Sequence, residues 1–399
     1  MYLLPKPKTI KEQDGQMLLC HSTHIVMTKE VAETEMHAAK RLQEAIRQET
    51  GLILPFSVGE VREGDLSLGI AKTLPEQTYE ITIDEKGGQI SGGDGAGVLY
   101  GVETFCQIVQ QCGGILPCVQ IQDAPDMPNR GYYFDQTRGR VLKLEELKKI
   151  ADRMCRYKLN QLQLYVEHTY LFRDFSEMWR DQTPLTAEEI RELDSYCRER
   201  HIELVPSLAS FGHLCTLLST KTYGDLCEME DSWKEPFSFW NRMRYHTINV
   251  SDERSLPLIK KMIAEYMQLF SSNKFNICAD ETFCLGKYKS KKLAEERGVH
   301  RLYIDYVKEL AQFLVENGKI PMFWGDIIWN SPELMKELPE SMICLNWGYA
   351  PEQREDETRA IAQTGAVQYL CPGVCGWNQW ANLIENSYKN ITRMCGYCL

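Results

Sequence analysis

From residue 130 onward, short apolar segments alternate with amphipathic helices, and that alternation decides the fold. The apolar segments are Gly131–Asp135, Gln161–Val166, Ile202–Pro206, Phe275–Ala279, Ile320–Trp324, Met342–Trp347 and Val367–Cys371. Between them the helical period is plain. Leu144, Leu147, Ile150, Ala151 and Met154 share one face, and Leu302, Val307, Leu310 and Leu314 share another. Thr186, followed by Glu189, is a capping box that opens a helix with Ile190, Leu193 and Cys197 inward. Repeated strand–helix units require parallel strands joined by crossovers. The expectation is an α/β fold, a (β/α)8 TIM barrel rather than an open sheet. No glycine-rich phosphate fingerprint follows the first strand, which argues against a dinucleotide fold. An eighth segment is missing: after a helix around Trp380–Arg393 the sequence stops at Leu399. The barrel is therefore expected to lack its eighth unit in this chain, leaving two raw sheet edges.

The first 125 residues follow a different pattern. Tyr79, Ile81 and Ile83 alternate with polar residues, Asp84 to Gly88 makes a turn, and Ile90 resumes the alternation. Helices are predicted over Val31–Gln48 and Ala96–Gln111. This predicts a small α+β domain over residues 1–125. The turn-rich stretch IQDAPDMPNRG leads into the barrel, over 126–399. The net charge of −11 lacks the basic footprint of a nucleic-acid binder and does not suit an anionic membrane surface. No apolar run is long enough for a membrane span, and the N-terminus does not read as a signal peptide. The 15 cysteines are scattered through apolar runs such as those around Cys106, Cys155, Cys278, Cys344 and Cys371, and they read as reduced core thiols. A cytoplasmic protein is expected. Cys395 and Cys398 form a lone CxxC that reads as incidental, and His21 with His24 lacks a third ligand, so no metal or cofactor is expected.

In a barrel of this kind the chemistry sits at the C-terminal ends of the strands. Those ends collect Asp135, with Arg130 just before the strand; Glu167-His168; Ser207 to His213; Asp280-Glu281; Trp324 and Asp326; Trp347; and Trp377, Asn378 and Trp380. Carboxylates, an arginine and several tryptophans make a sugar-site composition. Indole faces stack on pyranose rings, and carboxylates with arginine hold hydroxyls. Cleaving a glycosidic bond also needs carboxyl groups.

The segments AGVLYGVETFCQIVQ, NRGYYFDQTRGR, LVPSLASFGH and FNICADE, in that order, resemble glycoside hydrolase family 20 β-N-acetylhexosaminidases. The resemblance covers nearly the whole chain. It implies exo-acting removal of a terminal β-linked N-acetylglucosamine or N-acetylgalactosamine from an oligosaccharide. The implied route is substrate-assisted: Glu281 is the general acid, and Asp280 holds the 2-acetamido nitrogen whose carbonyl attacks the anomeric carbon. His213 and Glu167 then form a relay beside Glu281. Arg130 clamps the outer hydroxyls, and Trp324, Trp347, Trp377 and Asn378 wall the pocket. The family often has Asp-Asp where this chain has Glu167-His168, and usually a Tyr where this chain has Trp377-Asn378.

Plainer roles exist for the same residues. Asp280-Glu281 suits a helix N-terminus. Arg130 could pair with Asp135 or Asp126, and His213 could cap a loop. Consecutive strand residues face opposite ways, so both carboxylates reach one pocket only if the strand ends or kinks at Asp280. Two other functions fit: a non-catalytic sugar-binding barrel, and a metal-dependent hydrolase using His168, His213 and Asp280. The long aromatic loop from Leu208 to Val250 is expected to cover the pocket or to bury the contact of a homodimer.

Overall fold

In the computed structural model, residues 1–377 and 379–398 are described. They form two compact units. One comprises Met1–Tyr132 with Glu145–Leu162 and Leu193–Glu203; the other holds Tyr133–Leu144, Gln163–Glu192 and the remainder from Leu204.

The first unit is built on a seven-stranded mixed sheet. Its strands are β1 (Thr9–Leu18), β2 (Ile25–Met27), β3 (Phe56–Val58), β4 (Leu66–Ile70), β5 (Tyr79–Asp84), β6 (Gly87–Gly92) and β7 (Ile115–Asp123). Their spatial order is β1-β7-β5-β6-β4-β2-β3. The alternation in β5 buries Tyr79, Ile81 and Ile83. The expected helix over 96–111 runs Gly95–Cys112, opened by the Asp94 side chain accepting from the Gly97 amide at 2.7 Å. The expected single helix over 31–48 is instead two, Lys29–Thr34 and Met36–Thr50. Glu35 leaves the helical region there (φ −121°, ψ 25°) and turns its carboxylate to His201, 2.8 Å away.

The second sheet has seven parallel strands in sequential order: β8 (Gly131–Asp135), β9 (Gln161–Val166), β10 (Glu203–Leu208), β11 (Lys274–Asn276), β12 (Ile320–Trp324), β13 (Ile343–Gly348) and β14 (Val367–Pro372). β9 is buried at every residue, as a strand covered on both faces must be. The two edge strands, β8 and β14, are only half-buried. Among the described residues no eighth strand joins this sheet. Thr186 and Glu189 cap the helix Ala187–Arg198 reciprocally: each backbone amide donates to the other's side chain, at 2.9 and 3.1 Å. All 15 cysteines are free thiols, and eight of them are buried. The stretch after β10, expected as a structureless loop, folds into short pieces that include the helices Cys215–Leu218 and Phe239–Arg244. No helix of the described residues is long and apolar enough to cross a membrane.

Candidate active site

β11 is shorter than its apolar run suggests. It ends at Asn276, and Cys278, Ala279 and Glu281 follow with left-handed φ of 57°, 63° and 50°. Left-handed backbone is disfavoured for residues with a Cβ, so something must hold it. The fixings are identifiable. The Cys278 amide donates to Asn276 Oδ1 at 2.8 Å, and Ser210 Oγ donates to the Ile277 carbonyl at 2.5 Å. Tyr303 hydroxyl donates to the Ala279 carbonyl at 3.0 Å. The Glu281 amide donates to Asp326 Oδ2 at 3.0 Å. This turn removes the strand's alternation and lets Asp280 and Glu281 face the same way.

They face His213. Its Nε2 lies 3.3 Å from Asp280 Oδ2 and 3.2 Å from Glu281 Oε2. His213 arrives on the SFGH segment, itself left-handed at φ 59°. Gly212 makes the approach possible, because a Cβ there would sit 2.5 Å from the Asp280 carbonyl oxygen. Burial opposes charge on the imidazole, but the charge of Asp280 and the contacts with Asp280 and Glu281 outweigh it and push His213 up to about 10. At neutral pH it is a buried cation. Burial likewise opposes charge on Asp280, yet the His213 cation, aided by Arg138, holds its carboxyl below the usual carboxylate range. Asp326 behaves oppositely. Burial, and then the charge of Asp280, push it up to about 8, so it is neutral at pH 7.

The expected relay from His213 to Glu167 is not closed. His213 Nδ1 is buried without a hydrogen-bond partner. Glu167 is buried too, but its oxygens are taken by Tyr165 hydroxyl at 2.9 Å and Arg242 Nη2 at 3.1 Å. It acts on His213 through its charge alone. His168 sits beside it, with Nδ1 3.9 Å from Glu167 Oε2.

Arg130 does not belong to this site. It precedes the N-terminal end of β8, and its guanidinium is spent on the carbonyls of Lys158, Met127 and Pro128, on Gln77 and on Tyr100. The guanidinium at the C-terminal end of β8 is that of Arg138. Its Nε donates to Asp135 Oδ2 at 2.6 Å and lies 4.0 Å from Glu167, and it covers the Tyr165 ring at 4.7 Å. Both arginines lie in NRGYYFDQTRGR; the resemblance pointed to Arg130 as the clamp, but a residue just before a parallel strand sits at the wrong end.

The tryptophans separate into two roles. Trp324 is buried and stands edge-on to Tyr133 at 4.9 Å and 81°. Trp347 stacks on Tyr349 (4.9 Å, 20°), and Tyr349 meets Trp377 at 4.5 Å. Trp377 is half exposed, so these three rings form an aromatic rim. Tyr349 was not anticipated, although its place two residues after Trp347 was a signal. Asn378 lies outside the described residues. His213, Asp280 and Glu281 also bring their donor atoms within 4.8 Å of one another, close enough for a metal ion. His168, the other ligand in the metal-dependent alternative, is not part of that group.

The description "Glycosyl hydrolase family 20, domain 2" matches residues 1–124, and "Glycosyl hydrolase family 20, catalytic domain" matches residues 128–398. A beta-hexosaminidase of Porphyromonas gingivalis is 24% identical over 411 residues, covering 94% of this chain and 50% of the relative. One from Vibrio furnissii is 26% identical over 310 residues, covering 70% of this chain and 48% of the relative. The chain thus spans about half the length of these curated relatives. The crystal structure of a beta-N-acetylhexosaminidase from Bacteroides fragilis superposes with a TM-score of 0.76 at 18% identity, over 94% of this chain and 76% of that one. That likeness establishes the β/α-barrel fold for the second sheet.

Proposed function

Because this chain belongs to glycosyl hydrolase family 20, we propose that it removes terminal β-linked N-acetylglucosamine or N-acetylgalactosamine, with the substrate's own acetamide as nucleophile. The observation that carries this reading is the convergence of Asp280 and Glu281 on one imidazole nitrogen, at 3.3 and 3.2 Å. An ordinary retaining glycosidase needs two carboxyl groups facing each other across the sugar, about 5–5.5 Å apart, and an inverting one needs about 6.5–9.5 Å. Two consecutive carboxyls gathered at a single nitrogen do not flank a bond. They serve one side of it, which leaves the attack to the substrate.

In this scheme Glu281 protonates the leaving oxygen. Asp280, kept ionised by His213 and Arg138, orients the acetamido N–H and balances the positive charge that develops as the carbonyl oxygen closes on the anomeric carbon. The His213 cation then stabilises the Glu281 carboxylate left after proton transfer. Arg138 takes the hydroxyl-clamping role first assigned to Arg130, and the Trp347–Tyr349–Trp377 rim supplies the stacking face.

The test is turnover of chromogenic N-acetyl-β-glucosaminide and galactosaminide. Glu281→Gln should lower kcat by roughly 10²–10⁴-fold while sugar binding, followed by calorimetry, stays near wild type. Asp280→Asn should slow N-acetylated substrates strongly and have little effect on residual cleavage of 2-hydroxyl analogues, which lack the internal nucleophile. A covalent adduct on Asp280 with a fluorinated sugar would reverse that assignment. Sugar binding without any turnover would favour the binding-module alternative, and loss of turnover on chelation the metal-dependent one.

A further inference from the structure

We infer that Asp326 is a positioning residue for the acid, its Oδ2 fixing the Glu281 backbone in the left-handed turn that aims the carboxyl at the leaving oxygen. The inference rests on the reading of Glu281 as general acid.

The geometry is specific. Asp326 follows β12, two residues beyond the buried Trp324, and its Oδ2 accepts the Glu281 amide at 3.0 Å. Glu281 holds φ 50°, a left-handed conformation disfavoured for a residue with a Cβ. The other fixings of the turn act at Ile277, Cys278 and Ala279. Among the described contacts of Glu281's own amide, the Asp326 bond is the one that holds it. Asp326 Oδ1 is buried with no partner. A carboxyl in that setting, facing Asp280, Glu281, Tyr303 and Cys344, keeps its proton at neutral pH. The group that grips the acid is therefore a neutral acceptor. It fixes Glu281 without adding a further negative charge beside Asp280, which an ionised carboxylate would do.

The consequence is a split that general structural damage would not produce. A misplaced acid harms only reactions that need a proton on the leaving oxygen. Two N-acetyl-β-glucosaminides distinguish the cases, one with a sugar alcohol as leaving group and one with dinitrophenolate, which departs unprotonated. Asp326→Leu keeps the branched shape, with slightly bulkier ends, but removes the acceptor. It should lower kcat for the sugar leaving group by roughly 10²-fold, with KM little changed, and leave the dinitrophenyl substrate near wild type. Asp326→Asn, which retains an acceptor oxygen and no charge, should restore both. Equal losses on the two substrates, or an Asn variant as impaired as Leu, would overturn the inference. If Asp326→Leu does not fold, Asp326→Ala replaces it. Amide hydrogen exchange at Glu281 gives a readout without substrate. The amide should be protected in wild type and Asp326→Asn and exposed in Asp326→Leu, and equal protection in all three would also overturn the inference. Failure of wild type to cleave either substrate would count against the proposed function alone, because the exchange experiment still decides the role of Asp326.

Discussion

His213 is the residue on which the site's charge balance turns. It is a buried cation held chiefly by the charge of Asp280, with Glu281 beside it, and this links its protonation to folding. A group whose folded pKa is raised contributes stability that is complete below its unfolded value and is lost as pH rises through the folded one. For His213 the window runs from about 6.5 to about 10. Chemical denaturation across that range should show a decline in wild-type stability that His213→Gln lacks; parallel pH profiles for the two would contradict the assignment. Asp280 has the opposite sign. Its depressed carboxyl contributes stability above the ordinary carboxylate range that is lost as pH falls through its folded value. At this scale the sequence was only partly legible. Asp280, Glu281 and His213 were readable because a short motif places each at a strand end. Arg130 misled because two arginines share one motif, and only the direction of β8 tells them apart. Asp326 was visible at the end of β12, but its role depends on a backbone amide, and a backbone contact leaves no mark on residue type.

Among elements, the turn from Ile277 to Glu281 and the SFGH segment are matched surfaces. Gly212 is the point of contact, and a side chain there meets backbone rather than a movable group. Gly212→Ala should cost roughly 1–3 kcal/mol as overpacking and lower kcat as well, since the displaced partner carries Asp280. Denaturant unfolding and steady-state kinetics on the same variant check both parts; unchanged values in both would show that the segment yields freely. Strands β8, β9, β12, β13 and β14 lay within a residue of their expected limits because each is a short, continuous apolar run between helices. β11 ended early because its last residues are apolar yet left-handed, and apolarity reports burial, not φ. The break at Glu35 has a related cause: the apolar face continues through it, while a half-buried partner from distant sequence, His201, draws the carboxylate away.

Over the whole molecule, 15 thiols without a disulfide give a direct measure of packing. Cys20 and Cys398 are exposed, whereas eight thiols are buried, and burial pushes Cys197, Cys344 and Cys371 up to about 12. Titration with a thiol reagent should show a fast phase confined to the exposed sites and full reaction only on unfolding. A fast reaction of most thiols in the native protein would refute the packing described. Fold class was the most legible property at this scale, because seven strand–helix repeats leave few topologies open. The order of those strands has an evolutionary corollary. The acid turn follows β11, the middle strand of seven, whereas Arg138 follows β8 and Trp377 follows β14, the two half-buried margins. Substitutions accumulate most easily where packing is loosest. Members of this family should therefore differ most at the margins of the sheet, while the turn that carries Asp280 and Glu281 at its centre stays fixed.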